Sequence, residues 1–123
     1  KLHYGRDALV GIALFLSFLA KEDETVSNLK KRYSNYVMAK KKIQLSKAWD
    51  TDALLLAVAD TFKNERVTTI DGVKIDFDDS WIHLRKSNTE PIIRLYAEAH
   101  NNQRIQAQVE KIETAIAAFV ASA

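Results

Sequence analysis

The order of apolar and polar positions divides the chain into two parts. Between Arg6 and Ala20 nearly every residue is apolar, and a helix without a polar face is buried on all sides. It is too short for a bilayer, which needs about 20 apolar residues. Residues 21–24 are charged and break the pattern. The next segment, Thr25 to Tyr33, predicts a short helix with Thr25 as its N-cap, and we expect a domain boundary near Ser34.

Residues from Tyr36 onward predict strands and two amphipathic helices in the order β-α-β-β-β-β-α. The predicted strands are 36–45, 67–70, 73–77, 81–85 and 92–99, and the helices follow Asp50-Thr51 and Asn101-Asn102. Either Asp50 or Thr51 is the N-cap of the first of these helices. Asp71-Gly72 predicts a two-residue hairpin turn, since Gly allows the positive φ that such turns need.

This order predicts an α+β fold, in which an antiparallel sheet carries two helices on one face and leaves the other face exposed. We assign this domain to residues 34–123. Residues 1–33 are interpreted as the helical remnant of another domain, because the all-apolar helix needs a core that the rest of the sequence does not supply. The start without Met also suggests a piece cut from a longer chain.

Composition and charge narrow the possible functions. Of the 123 residues, 47% are hydrophobic and 28% charged, which is typical of a globular protein. With 18 basic and 16 acidic residues the net charge is only +2, so any recognition of an anion must come from a local cluster. The absence of Cys excludes disulfides and thiolate sites. Asp76, Asp78 and Asp79 are interpreted as a solvated turn rather than a metal site.

The segment from Trp81 to Ala99, WIHLRKSNTEPIIRLYAEA, carries the functional signal. A phosphate dianion is bound by Arg, which donates two parallel hydrogen bonds, by hydroxyl and amide donors, and by the N–H groups of a tight loop. The candidate phosphate ligands are Arg85, Ser87, Asn88, Thr89 and, on the departing strand, Arg94.

Chemistry alone leaves a plain polar turn open as an alternative, because Ser-Asn-Thr is also ordinary turn composition. Glu90 counts against an anion site unless its carboxylate points away or pairs with an Arg. The basic run from Lys40 to Lys42 is interpreted as a solvated edge strand, where Lys discourages misplaced pairing. If the phosphate site is local, this run takes no part in it.

The segment from Arg85 to Pro91, RKSNTEP, followed by Arg94, resembles the phosphate-binding loop of the α-D-phosphohexomutases, which include phosphoglucomutase, phosphomannomutase and phosphoglucosamine mutase. The Asp-Gly hairpin before the loop and the Tyr-x-Glu-Ala strand end after it agree. The resemblance implies that residues 34–123 form the family's fourth domain, whose fold is similar to the TATA-box-binding protein. Residues 1–33 then correspond to the last helix of the third, α/β, domain and its linker.

The resemblance implies that the full-length parent is an enzyme that moves a phosphoryl group between C1 and C6 of a hexose phosphate. In this family a phosphoserine in the first domain donates the group, an aspartate-rich loop in the second holds Mg²⁺, and the fourth domain binds the phosphate that is not reacting. This sequence carries neither the serine motif nor the metal loop. We therefore expect a substrate-binding domain that has no catalytic residue, metal ligand or cofactor and is inactive alone.

The expected partners are a hexose phosphate and the missing N-terminal domains of the same chain, in the cytoplasm, with no nucleic acid and no membrane. A homo-oligomer through the apolar helix 6–20 is a further expectation, since burial of one large apolar side chain contributes about 1.5–3 kcal/mol. Two alternatives stay open here: a free-standing module for a phosphorylated partner, and a nucleic-acid-binding module.

Overall fold

The computed structural model describes residues 7–46 and 49–122, which form two compact units. The first unit ends at Ser34 and the second begins at Asn35. Each is described by itself below.

The first unit consists of two helices, α1 (Ala8–Glu22) and α2 (Val26–Lys30). Asp7 caps α1 by accepting a hydrogen bond from Val10 N at 3.0 Å, and Thr25 caps α2 as predicted. The predicted start at Arg6 lies outside the described residues. No side chain of α1 is buried. Within the described residues, no helix has both the length and the apolar character that crossing a membrane requires.

The second unit is built on a five-stranded antiparallel sheet in the order β1-β5-β4-β3-β2. The strands are β1 (Val37–Gln44), β2 (Arg66–Thr68), β3 (Val73–Asp76), β4 (Ser80–Lys86) and β5 (Ile92–Ala99). The last strand in sequence, β5, lies between β1 and β4, so the first strand forms one edge of the sheet.

Two helices, α3 (Thr51–Thr61) and α4 (Asn102–Ser122), cover one face of this sheet. Asp50 is the N-cap of α3 and accepts from two backbone N–H groups, which decides between the two predicted caps. Alternate strand residues and the apolar stripes of both helices share one core. Its fully buried members include Leu54, Val58, Ile75, Ile82, Leu84, Ile93, Leu95 and Ile112. The predicted α+β fold with both helices on one face is confirmed.

The predicted two-residue turn at Asp71-Gly72 is wrong by one residue in register. Thr68 pairs with Lys74, and residues 69–72 form the connection, so Ile70 is not in a strand and is 93% exposed. Gly72 has φ +73° at the last position of this loop, as in longer hairpin loops that end in a left-handed residue. Pairing with β4 holds Val73 and Ile75 on the core face. The longer loop then pairs Val67 with Ile75 on that face, whereas the predicted turn would have paired Val67 with Asp76 on the other.

Candidate functional site

The loop of interest joins β4 to β5 and spans residues 87–91. Ser87 N donates to Ile92 O at 2.9 Å and closes the loop at its base. Pro91 has no N–H to donate, but its carbonyl accepts from Leu45 N at 3.0 Å, which fastens the loop to the end of β1. The loop is therefore held between the sheet's central strands and its edge.

Two guanidinium groups stand at the mouth of this loop. Arg85 and Arg94 are direct cross-strand partners on β4 and β5, so their side chains leave the sheet on the same face. This is the face opposite the helices, because the neighbouring positions Leu84 and Leu95 are fully buried in the core. The structure thus brings together the two Arg residues that the sequence analysis selected.

Each of these guanidinium groups contacts a carboxylate. Arg85 Nη2 lies 2.9 Å from Asp71 Oδ2, and Arg94 Nη2 lies 3.5 Å from Glu90 Oε2. All four side chains are 45–61% exposed, and ion pairs of this kind contribute only about 0–1 kcal/mol each. Because the Glu90 carboxylate pairs with Arg94, its negative charge does not argue against an anion site here.

The hydroxyl groups of the loop face the same region. Ser87 Oγ is 3.4 Å from Arg94 Nη2 and accepts from Thr89 N at 3.4 Å. Thr89 Oγ1 is 3.5 Å from Ser87 Oγ. These contacts are long for hydrogen bonds, whose usual O–H and N–H donor distances are near 2.7–3.2 Å. The donors are therefore close together but weakly engaged with one another.

A cavity of about 290 Å³ opens at this point. Its lining consists of Arg85, Lys86, Ser87, Asn88, Thr89, Arg94 and Tyr96. All five predicted phosphate ligands line it, and their phosphate-binding role stays a prediction. The sequence analysis did not include Tyr96 among the site residues. Tyr96 lies two residues after Arg94 on the same strand, and this spacing alone predicts that both side chains leave the sheet on one face.

Lys86 lines the cavity but is anchored elsewhere. Its ammonium group donates to both carboxylate oxygens of Asp52, at 2.7 and 2.8 Å, and so links the end of β4 to the first turn of α3. Its cross-strand partner Ile93 is buried in the core. Lys86 therefore belongs to the helix side of the sheet, unlike its neighbour Arg85.

The loop between β2 and β3 supports the site from behind Arg85. Besides the contact of its carboxylate with Arg85, Asp71 approaches β4 through its carbonyl oxygen, which lies 2.6 Å from His83 Nε2. A Cβ on Gly72 would lie 2.1 Å from Leu84 O and 3.2 Å from Arg85 Cα. Only Gly permits so close an approach, and it seats the hairpin tip directly against the strand that carries Arg85.

The acidic turn near Asp78 is held by cations of this unit. Lys74 and Arg66 hydrogen-bond to Asp76, and the pKa of Asp76 is lowered, chiefly by the bond from Lys74. Arg104 likewise lowers the pKa of Asp79 through a 2.9 Å hydrogen bond. Among residues 7–46 and 49–122, no group of three or more His, Cys, Asp or Glu side chains is arranged to hold a metal ion.

Comparison with known proteins identifies the family. The sequence profile described as "Phosphoglucomutase/phosphomannomutase, C-terminal domain" matches residues 21–115. The chain belongs to this family. A solved structure, a phosphoglucomutase/phosphomannomutase family protein from Burkholderia thailandensis, superimposes with a TM-score of 0.71 at 26% identity and covers 94% of this chain. The match confirms both the family resemblance of the loop sequence and the α+β fold predicted for the second unit.

Curated relatives agree with this family. A phosphoglucosamine/phosphogalactosamine mutase of Sulfurisphaera tokodaii is 38% identical over 98 residues, which are 78% of this chain and 22% of the relative. A phosphomannomutase of Methanocaldococcus jannaschii is 29% identical over 122 residues, 99% of this chain and 27% of the relative. The chain thus spans about a quarter of the length of these phosphohexomutase relatives.

Proposed function

We propose that this chain is the C-terminal domain of a phosphohexomutase and binds the phosphate group of a hexose phosphate that is not being transferred. The observation that supports this most is the cavity beside the β4–β5 loop, where Arg85 and Arg94 meet the hydroxyls of Ser87 and Thr89. Two guanidinium groups and two hydroxyls suit the charge and the several oxygen atoms of a phosphate dianion.

The carboxylates at the site suggest how binding proceeds. Asp71 and Glu90 each contact one of the two guanidinium groups. An exposed ion pair of this kind is worth little, about 0–1 kcal/mol. A phosphate can contact both guanidinium groups and the loop hydroxyls together. It therefore replaces the two carboxylates as partner of the guanidinium groups, or binds beside them, at a small cost in free energy. The domain then accepts the anion without unfolding any element of the sheet.

A grip on the distant phosphate serves the transfer at the other end of the sugar. Binding energy from a part of the substrate that does not react can orient the part that does, which turns affinity into rate. On this proposal the parent enzyme is an intramolecular phosphotransferase acting between C1 and C6. Its phosphoserine and the ligands of its Mg²⁺ belong to other domains, and the 123-residue chain alone has no mutase activity.

Calorimetric titration with glucose 6-phosphate tests the assignment. Arg85→Ala should weaken binding about 10- to 100-fold, because one charged hydrogen-bonding group contributes about 1.5–3 kcal/mol. Arg85→Lys should also weaken it, since Lys keeps the charge but loses the two-pronged geometry. Arg66→Ala is the matched control: it removes an exposed Arg that pairs with Asp76 outside the cavity, and it should leave the affinity unchanged.

Two results would contradict the proposal. Equal losses in Arg85→Ala and Arg66→Ala would show that the anion responds only to net charge. Tight binding of an oligonucleotide that falls steeply with salt, combined with no response to glucose 6-phosphate, would favour the nucleic-acid alternative. Mutase turnover by the isolated chain would separately contradict its assignment as a substrate-binding part of the enzyme.

A further inference from the structure

The three consecutive lysines of β1 do not share one environment. Lys41 is paired with the fully buried Leu95 of β5 and therefore lies on the helix-covered face of the sheet. The ammonium group of Lys41 lies 2.6 Å from Glu113 of α4. Lys40 and Lys42 alternate with it and leave the sheet on the other face. Their cross-strand partners there are Tyr96 and Arg94, both of which line the cavity of the β4–β5 loop.

Lys42 completes a row of three cations across neighbouring strands. It is paired with Arg94 of β5, which is paired in turn with Arg85 of β4. Like charges directly opposite each other destabilise a sheet. Contacts with Glu90 and Asp71 offset part of this repulsion, and an anion bound over the row would offset more of it.

The carboxylate of Glu90 lies between Lys42 and Arg94, at a position that the bound anion could occupy instead. One oxygen of its carboxylate is 3.8 Å from Lys42 Nζ, and the other is 3.5 Å from Arg94 Nη2. The distance to Lys42 is too long for a hydrogen bond. Among the described residues no side-chain hydrogen bond of Lys42 is found, so its N–H donors are available to a ligand.

A second cavity, also of about 290 Å³, continues from the first toward β1. Arg94 and Tyr96 line both cavities, and the new lining groups are Lys40, Lys41 and Lys42. The ammonium group of Lys41 is held by Glu113. Apart from Arg94, the cationic side chains that line this second cavity from the open face of the sheet are therefore those of Lys40 and Lys42.

From this geometry we infer that Lys42 is a further binding residue of the phosphate site, with Lys40 as a weaker contributor one row away. The ligand is a phosphate dianion carried by a sugar, held between the β4–β5 loop and the edge strand. Lys42 contacts the phosphate beside Arg94. It also stays near the Glu90 carboxylate when the phosphate replaces Glu90 as the partner of Arg94. This inference rests on the proposed phosphate-binding function and extends its site onto β1. It replaces the expectation, drawn from the sequence, that the lysine run takes no part in a local phosphate site.

Adjacent lysines supply the matched test. Lys42→Met and Lys41→Met remove the same charge from neighbouring positions, and each is titrated with inorganic phosphate and with glucose 6-phosphate at fixed ionic strength. We expect Lys42→Met to weaken binding about 3- to 10-fold, as for one charged contact at a partly exposed site. Lys40→Met should weaken it less, and Lys41→Met not measurably. Arg85→Ala serves as the positive control.

The outcomes separate the inference from the function on which it rests. Equal affinities of Lys42→Met and Lys41→Met, with binding still lost in Arg85→Ala, would overturn the role of Lys42 and leave the loop site standing. No binding by the unmodified chain at millimolar ligand would contradict the proposed function itself. Urea unfolding without ligand gives the last check: Lys42→Met should be as stable as the unmodified chain, and a clear loss of stability would mean a structural role instead.

Discussion

Substitution of Gly72 should destabilise the second unit more than its half-buried position at a hairpin tip suggests. The residue has φ +73°, and a Cβ placed on it would lie 2.1 Å from Leu84 O. Left-handed backbone costs an alanine about 1–2 kcal/mol. Moving the hairpin tip away from β4 to relieve the overlap adds about 1–3 kcal/mol, the usual range for overpacking. Gly72→Ala should therefore lower the free energy of unfolding by about 2–5 kcal/mol.

A second substitution separates the two causes. Asn tolerates the left-handed region but carries the same Cβ, so Gly72→Asn should recover only the conformational part and remain destabilised by about 1–3 kcal/mol. Gly11→Ala is the control, because apart from its chain neighbours and the adjoining backbone of α1 no described atom lies within 4 Å of its added Cβ. In the interior of α1 this change should add about 0.5–1 kcal/mol of local helix stability.

Urea unfolding followed by tryptophan fluorescence suits this test, because Trp49 and Trp81 both belong to the second unit. The transition should move to lower urea in both Gly72 variants and stay in place in Gly11→Ala. A Gly72→Ala variant within about 0.5 kcal/mol of the parent, the range of ordinary surface substitutions, would refute the reasoning. Full recovery in Gly72→Asn would show that backbone conformation, not the contact with Leu84, requires Gly.

Three further expectations concern stability and association. Gln108 is 2% exposed and its Oε1 has no partner among the described residues, so Gln108→Leu should raise the free energy of unfolding by about 1 kcal/mol in the same urea assay; destabilisation would point to a missed partner. Because the pKa of Asp76 is lowered in the folded state, its contribution to the free energy of unfolding is present above the unfolded pKa of about 3.9 and is lost as pH falls through the folded value. Asp76→Asn should therefore make the free energy of unfolding depend less steeply on pH in the acid range, and an unchanged pH dependence would contradict this. Leu9 and Leu16 of α1 are 78% and 59% exposed, so replacing both by Lys should reduce concentration-dependent association in light scattering, whereas a parent chain that is already monomeric would remove the expectation.

The candidate site could be predicted from sequence where its parts lie close together along the chain. Arg85 lies near the end of one strand, Ser87 and Thr89 lie in the loop that follows, and Arg94 lies on the next strand. Local spacing alone therefore places them on one hairpin. Strand alternation also contained the position of Tyr96, although the sequence analysis did not use it. The family resemblance, carried by the same short segment, was sufficient for the fold.

The remainder of the site depends on pairings between distant segments. Lys42 reaches the site because β1 pairs with β5. The alternation of apolar residues at positions 37, 39, 43 and 45 already separates Lys41 from Lys42, but it does not show which strand lies beside β1. Asp71 lies at the tip of the β2–β3 hairpin and contacts Arg85 of β4, and the sequence analysis misjudged the register of this hairpin by one residue. The turn signal at Asp71-Gly72 indicated a glycine with positive φ, but its close approach to Leu84 O is a tertiary contact that the local sequence does not show.

NMR titration of the isotopically labelled chain with glucose 6-phosphate shows whether the β4–β5 loop holds a phosphate site. We expect saturable amide shifts concentrated between residues 85 and 96, together with a smaller response at the end of β1 near Lys42, and no response near the acidic turn at Asp78. Shifts spread evenly over the basic residues of the surface, or no shifts at millimolar ligand, would contradict it.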